Sequence, residues 1–470
     1  MNAGRLLLPG LLLVSGGLLS EVLPSACAAD SASISLPMVP LPRSNTSQER
    51  LLQSAFDLEK AARWEAALGV WNRLVLLQPA NPEYRQHLRD SLRYTLAERR
   101  YRDASYRSQL AGMSWLESLS LYSEALEKLS TGYPDRERIA PARLFQEGLG
   151  ELLRSLADPN FRQAMLPDAS AEAVGALAEQ LRETWGERRP ATLRQARDWV
   201  EEIGRSFRSQ LKLRKPTAIA MEFLCGACNS LDEYSSYLTP DDLVAELRAA
   251  PVASSISQSG VVRPGIGYIR IGLFRDNTPQ EFDSAWAEIQ AASAAIPIKA
   301  LIVDLRGNPG GSFQAAVELA GRFLSSGVVA STQAQSAEDA RVFSTGMGMA
   351  AIDLPLVLLV DRGTASSAEV LAGALRDHDR AIVVGTPTYG KGSIQLVLRF
   401  RADAATDDRS SKAGALRLTL ARVFSPSGQA LTGAGIVPHI RENDPERQIE
   451  LAIAQISRMG AGSPPMNIMP

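Results

Sequence analysis

Apolar residues three and four positions apart run through the first half of the chain, whereas unbroken apolar runs appear only in the second half. From Glu49 to Arg107 the spacing predicts helices. Within that stretch, Ala61 to Leu68, continuing through Trp71 and Leu74 to Pro79, reads as a helical hairpin with small residues at the crossing and a proline at the exit. Residues 114–212 continue as helices, with Leu119, Leu121, Tyr122, Leu126 and Leu129 on a shared period. At Arg263-Pro264-Gly265 the pattern changes, and Tyr268-Ile269-Arg270-Ile271 alternates as a strand does. Asn277-Thr278-Pro279 offers a cap and a first-turn proline to a helix carrying Phe282, Trp286 and Ile289. Ala300–Val303, Leu356–Val360 and Ala381–Val384 are continuous apolar runs, the mark of strands buried on both faces and followed by helices. The C-terminal half is thus expected to be an α/β domain behind an all-α region.

Length and composition add limits. A chain of 470 residues with 45% hydrophobic and 22% charged residues is ordinary for a globular protein of two or three domains. A formal net charge of -2 argues against nucleic acid or an anionic membrane as partner. At the N-terminus, Arg5 precedes an apolar run from Leu6 to Leu19 and then Ser25-Ala26-Cys27-Ala28-Ala29, the order of a signal peptide over residues 1–28. The run is too short and too broken by Pro9-Gly10 and Gly16-Gly17 for a span of about 20 residues, so no integral membrane protein is expected after its removal. Pro24 fits a lipid-anchored Cys27 poorly. Residues 29–48, rich in Ser, Pro and Asn, read as a linker. Cys225 and Cys228 are expected as a small disulfide or two packed thiols, because His87, His378 and His439 are too few and too scattered to complete a zinc site. The hairpin at 61–79 resembles a tetratricopeptide unit, but a solenoid needs about three repeats, so a plain hairpin and a docking element stay equally open.

Two strand-to-helix junctions carry chemistry. Asp304-Leu305-Arg306-Gly307-Asn308-Pro309-Gly310-Gly311 enters a helix from Phe313 to Phe323, and its glycines can turn backbone N–H groups toward an anion or an oxyanion. A tight turn without a ligand would look the same. Gly363-Thr364-Ala365-Ser366-Ser367-Ala368-Glu369 enters a second helix, where a serine is either a cap or a nucleophile at a helix N-terminus. The third element is Gly385-Thr386-Pro387-Thr388-Tyr389-Gly390-Lys391-Gly392-Ser393-Ile394-Gln395. A serine nucleophile needs a base, and His378 sits in the charged string Arg376–Arg380 at a helix end. Lys391 can take that role if burial lowers its pKa from about 10.4 toward neutrality, with Gln395 as a polar orienter. The same stretch approaches a phosphate-binding loop, but Gly392 stands where a hydroxyl belongs and the continuation reads as a strand.

As an ordered set, these motifs resemble the carboxyl-terminal processing (tail-specific) serine proteases. Gly265-Ile266-Gly267-Tyr268-Ile269, Asp304-Leu305-Arg306, Gly363-Thr364-Ala365-Ser366, Gly390-Lys391-Gly392, Arg422–Gly428 and Gly435-Ile436-Val437-Pro438 follow the family's order over about residues 218–455. The resemblance implies a crotonase/ClpP-like β/α core, Ser366 as nucleophile, Lys391 as general base and Gln395 as its orienter. It implies an oxyanion hole from the backbone N–H groups of Gly311 and Ser367, protein or peptide substrates, a periplasmic or envelope location, and no metal or organic cofactor. Ser367 replaces a more usual alanine, a harmless change if only its backbone is used. The domains implied are a tetratricopeptide-like region at 49–110, a helical region at 111–250, a catalytic domain at 251–445 and a C-terminal helix and tail at 446–470.

Three departures stand out. The family's PDZ domain has no room, because only a short link separates Tyr237-Leu238-Thr239-Pro240 from Gly265 and independent domains rarely fall below about 40 residues. Partner selection would then pass to the N-terminal helices. His439 follows Pro438 where an acid is usual, and Asp232-Glu233-Tyr234-Ser235 replaces an Asp-Pro-His-Ser type run. The competing reading is a catalytically silent, protease-like binding protein with a helical docking region.

Overall fold

The computed structural model describes residues 45–79, 81–210, 215–247, 254–346, 352–401 and 412–460. The expected signal peptide, Cys27, most of the expected linker and the last ten residues lie outside them. Among the described residues, ten helices come first: α1 (Asn45–Lys60), α2 (Trp64–Leu77), α3 (Pro82–Arg102), α4 (Ala104–Gly112), α5 (Trp115–Gly132), α6 (Pro141–Ala157), α7 (Pro159–Met165), α8 (Ala171–Trp185), α9 (Leu193–Gln210) and α10 (Thr217–Asn229). Helix α1 therefore begins inside the stretch read as linker.

Local chemistry sets these boundaries. Ala62, at φ +53°, turns the chain between α1 and α2. The Asn81 side chain accepts from the amides of Glu83 and Tyr84 and starts α3, with Pro82 in its first turn. Ser114 and Glu117 form a capping box on α5. Helices α6 and α10 pack backbone to backbone, since a Cβ on Gly226 would lie 2.5 Å from the Glu147 carbonyl oxygen.

Between these helices lies a buried ionic network. Arg100 reaches Glu151 (3.2 Å) and Glu222 (2.9 Å), Arg93 reaches Glu147 (2.8 Å) and Glu151 (3.4 Å), and Ser155 donates to Glu222 (2.6 Å). Three arginines, led by Arg154, hold the Glu151 carboxyl at about 2 despite its burial. Cys225 and Cys228 sit beside this network as two buried thiols. Burial pushes Cys228 up to about 12 and Cys225 well above the ordinary thiol range.

After β1 (Ser236–Leu238) and α11 (Pro240–Leu247) come β2 (Ile256–Arg263), β3 (Ile266–Ile271), α12 (Thr278–Ala292), β4 (Ala300–Asp304), α13 (Phe313–Ala320), β5 (Val328–Gln333) and β6 (Arg341–Ser344). The described residues continue with β7 (Leu356–Val360), α14 (Ser367–Asp377), β8 (Ile382–Gly385), β9 (Ser393–Arg399), β10 (Ala415–Phe424), β11 (Ile440–Arg441) and α15 (Pro445–Gly460). One sheet has the order β11-β8-β7-β4-β3-β2, parallel except for β2. The second is antiparallel, with β10 paired to β1 and β5 along one side and to β9 along the other.

The apolar runs are buried on both faces, as their pattern predicts. Leu301, Val303, Leu356 and Leu358 face a core closed by α12, α13 and α14. Ile302, Val357 and Leu359 face the other way, onto Ala452 and Ile456 of α15. Two boundary details differ from expectation. Asn277 stands before α12 without a capping bond, at φ -92° and ψ 6° rather than the extended cap geometry, and its amide donates to Glu281. Helix α13 stops at Ala320 rather than Phe323.

Candidate active site

The parallel strands β4, β7 and β8 are neighbours, and the loops at their carboxyl ends carry the three motifs singled out in the sequence. After β7, Ser366 opens α14 with φ +53° and ψ -122°, a region that costs a non-glycine residue about 1–3 kcal/mol. An ordinary capping serine has extended backbone, so capping alone does not account for this turn. The surroundings hold it there. The Ala365 amide donates to the Asn308 carbonyl (2.9 Å), the Thr364 hydroxyl to the Leu305 carbonyl (2.8 Å), and the Ser366 amide to the Glu369 carboxylate (2.9 Å).

After β4, the glycine loop lies directly against that serine. A Cβ on Gly310, at φ +110°, would sit 2.6 Å from Ser366 Cβ. Phe274 donates to the Gly310 carbonyl (2.7 Å) and accepts from the Ser312 amide (2.9 Å), so Gly311's own N–H takes no part in that pairing. A Cβ on Gly311 would fall 2.0 Å from the Phe274 oxygen, which leaves glycine as the residue that fits. Asn308 braces the loop, donating to the Ile271 carbonyl (3.0 Å) and accepting from the Gly310 amide (2.9 Å). The Ser367 hydroxyl donates to the Gly311 carbonyl (2.7 Å), tying the glycine loop to the first turn of α14.

After β8, the loop to β9 brings in Lys391. Gly390 and Gly392 let its backbone press against residues 431–433, since a Cβ on Gly392 would lie 2.3 Å from the Thr432 nitrogen. The amides of Gly390 (2.7 Å) and Lys391 (2.9 Å) both donate to Glu369, and so does the Thr388 hydroxyl. Glu369 is fully buried, and burial raises its carboxyl above the ordinary range against the pull of these donors. Lys391 Nζ lies 5.4 Å from the centre of the Tyr234 ring, within cation–π range. The Gln395 amide donates to the hydroxyls of Ser393 (2.8 Å) and Thr419 (3.0 Å).

Ser366, Ser367, Gly311, Lys391 and Gln395 all line one cavity of about 440 Å³. His378 does not join them. It caps the far end of α14, about 16 Å along the helix axis, with Nε2 2.7 Å from the Val328 carbonyl. The Gly385–Lys391 spacing leads into strand β9, so the helix N-terminus that a phosphate loop requires is not there.

Three contributors escaped the sequence reading of roles. Glu369 was visible only as the last residue of the serine motif, and its grip on the lysine loop left no mark in the sequence. Asn308 lies within the glycine-loop motif and Tyr234 within the run Asp232–Ser235, but nothing in the sequence marked the bracing role of the first or the place of the second beside Lys391. His439, unexplained in the sequence, accepts the Val383 amide at Nδ1 (3.0 Å) and so closes the start of β8.

A serine on a strained strand-to-helix turn, sharing a cavity with glycine-loop amides and a lysine, is the kind of site that serine hydrolases use. Residues 265–442 match the profile of Peptidase family S41. The carboxy-terminal-processing protease of Bartonella bacilliformis is 35% identical over 184 residues, 39% of this chain and 40% of the relative. The carboxyl-terminal-processing protease of Synechocystis sp. is 33% identical over 228 residues, 48% of this chain and 47% of the relative. The chain thus spans less than half the length of these relatives. Among solved structures, a photosystem II D1 C-terminal processing protease aligns with TM-score 0.44 and 19% identity over 70% of this chain and 93% of that one. Among the described residues, no helix is long and apolar enough to cross a membrane.

Proposed function

We propose that the chain is an exported serine endopeptidase that cleaves polypeptides through a Ser366–Lys391 dyad. The observation that carries this reading is the left-handed Ser366 turn, held against the glycine loop and joined to the Lys391 loop through one buried carboxylate. Ser366 Oγ attacks the scissile carbonyl carbon and gives its proton to Lys391 Nζ. The oxyanion is held by the N–H groups of Gly311 and Ser367, the latter at the start of α14, where amides lack helical partners. Collapse breaks the C–N bond, and the departing amine takes the proton from Lys391. Water then attacks the Ser366 ester with Lys391 again as base, releasing the acid and restoring the serine.

The Tyr234 ring would attract the ammonium formed at each proton transfer. Gln395, fixed by Ser393 and Thr419, is the orienting residue of this scheme. The catalytic domain is assigned to 251–445, with a crotonase/ClpP-like core and no PDZ domain. The N-terminal hairpin is a tetratricopeptide-like element that helps to choose substrates, and the periplasm is the compartment.

The test is casein cleavage and fluorophosphonate labelling of the chain without residues 1–28, alongside Ser366→Ala and Lys391→Ala. Cleavage by wild type should fall by about 10³-fold or more in each variant, and labelling should disappear with Ser366→Ala. Undiminished cleavage in Ser366→Ala would overturn the assignment. A wild type that neither labels nor cleaves would favour the silent, protease-like binding protein.

A further inference from the structure

The cavity that holds Ser366 and Lys391 is not closed by the S41 segment alone. Its far wall comes from the N-terminal helices, with Leu88, Leu92 and Leu96 of α3 and Leu68 and Leu76 of α2 among its lining residues. The three α3 leucines are four residues apart, so they form one stripe along a single helix face. The adjoining face of α3 carries Arg93 and Arg100, which are locked into the buried carboxylates of α6 and α10. Breaking such buried pairs leaves uncompensated charge, so α3 is a fixed wall rather than a swinging lid.

The charges that share this lining are satisfied by neighbours. Arg93 pairs with Glu147 and Glu151, Arg417 with Glu246 (3.4 Å) and the Tyr234 carbonyl (2.9 Å), and Glu233 with Arg85 (3.0 Å). What the α2–α3 wall offers to an occupant is therefore mainly hydrocarbon, with one polar exception, the buried Asn72 Oδ1 of α2, which has no hydrogen-bond partner among the described residues. A volume of about 440 Å³ is in the range of pockets that bury ligand groups by apolar contact.

We propose that the α2–α3 hairpin is a built-in specificity element: its leucine stripe receives a bulky aliphatic or aromatic side chain of the polypeptide held at Ser366. This rests on the hydrolase reading above. The hairpin then selects substrate from inside the catalytic cavity, and not only as a remote docking platform.

The experiment measures binding and cleavage separately. A set of otherwise identical fluorescent peptides, varied to Leu, Phe, Ala, Ser or Asp at each position, is titrated against full-length Ser366→Ala, which binds without turnover. The same set is then used for kcat/KM in the wild-type background. Leu92→Ala and Leu96→Ala, both at partly exposed positions, are compared with Leu92→Met and Leu96→Met, which keep the volume. Point changes are used because deleting the hairpin would take Arg93 and Arg100 away from the buried Glu151 and Glu222.

The Leu and Phe peptides should bind about tenfold tighter than the Ser and Asp peptides, with most of that ratio lost in the alanine variants and kept in the methionine variants. Thermal unfolding and fluorophosphonate labelling check that the variants remain folded and reactive. A preference that is absent in Ser366→Ala, or identical in the alanine variants and their parent, overturns the specificity role. Tight apolar binding without any wild-type cleavage would sink the hydrolase reading while leaving the leucine wall standing.

Discussion

Glu369→Gln is the sharpest probe of how this site is assembled. The native carboxylate receives four donors, with Thr388 and Gly390 on one oxygen and Lys391 and Ser366 on the other. A glutamine keeps one oxygen and turns an NH₂ toward the other pair of donors, so two buried groups lose their acceptor. At about 1–3 kcal/mol for each unsatisfied group, the loss is about 2–6 kcal/mol, a large part of the ~5–15 kcal/mol that keeps a protein folded. Urea unfolding followed by circular dichroism should show a midpoint lower by about 1 M. The functional consequence is separate, because the same carboxylate fixes the Ser366 turn relative to the Lys391 loop. The rate of fluorophosphonate labelling, measured well below the unfolding transition, should therefore fall at least tenfold. Wild-type stability in Glu369→Gln would refute the hydrogen-bond reasoning. Lowered stability with unchanged labelling would reduce Glu369 to a helix cap and refute the coupling between the two loops.

Other perturbations probe the remaining supports. Gly310→Ala places a methyl 2.6 Å from Ser366 Cβ at φ +110°, so it should lower kcat by about 10²-fold or more, and retained activity would show that the loop yields. Ser367→Ala removes the bond to the Gly311 carbonyl, worth about 1 kcal/mol, and should lower kcat about fivefold at unchanged KM, with Ser367→Thr restoring it. An identical kcat in Ser367→Ala would make the hydroxyl incidental. Burial, helped by Arg376, lowers the His439 pKa, so the unfolded chain binds the extra proton first as pH falls. The His439 contribution is then present above the ordinary value of about 6.5 and is lost as pH drops through the lower folded value. Urea midpoints at pH 7.5 and 5.5 should differ more in wild type than in His439→Asn, which keeps an acceptor near Nδ1. Equal pH dependence would count against that account.

How legible an element was depended on how many of its faces are buried. Strands β4 and β7 are buried throughout, so their runs announced themselves. Strand β2 pairs along one edge and is exposed at most positions, and Ser257-Gln258-Ser259-Gly260 left no apolar pattern to read. The serine, lysine and glycine loops were visible because each combines an uncommon residue order with a strand-to-loop junction. Their supports were not, since the contacts of Glu369 with Gly390 and of Asn308 with Ile271 depend on tertiary approach. The leucine stripe of α3 was legible as helix, but its apolar face is the same pattern whether it meets a core or a cavity.

The order of motifs along the chain follows from the sheet rather than from the chemistry. Strands β8, β7 and β4 lie side by side, so the loops at their carboxyl ends begin within about 10 Å of one another. The chain between β4 and β7 leaves for the second sheet, where β5 and β6 pair, and returns to deliver Ser366 beside Gly310. The loop after β8 then crosses from the first sheet into β9 of the second, carrying Lys391 over the Tyr234 ring. A lysine placed on that crossing belongs to both sheets, and the α3 wall, held by buried ion pairs in the helical half, closes the cavity from a third direction. Loosening any one of these bodies should change the cavity before it changes the fold. For that reason, separate measurements of binding, labelling and unfolding tell more about this site than activity alone.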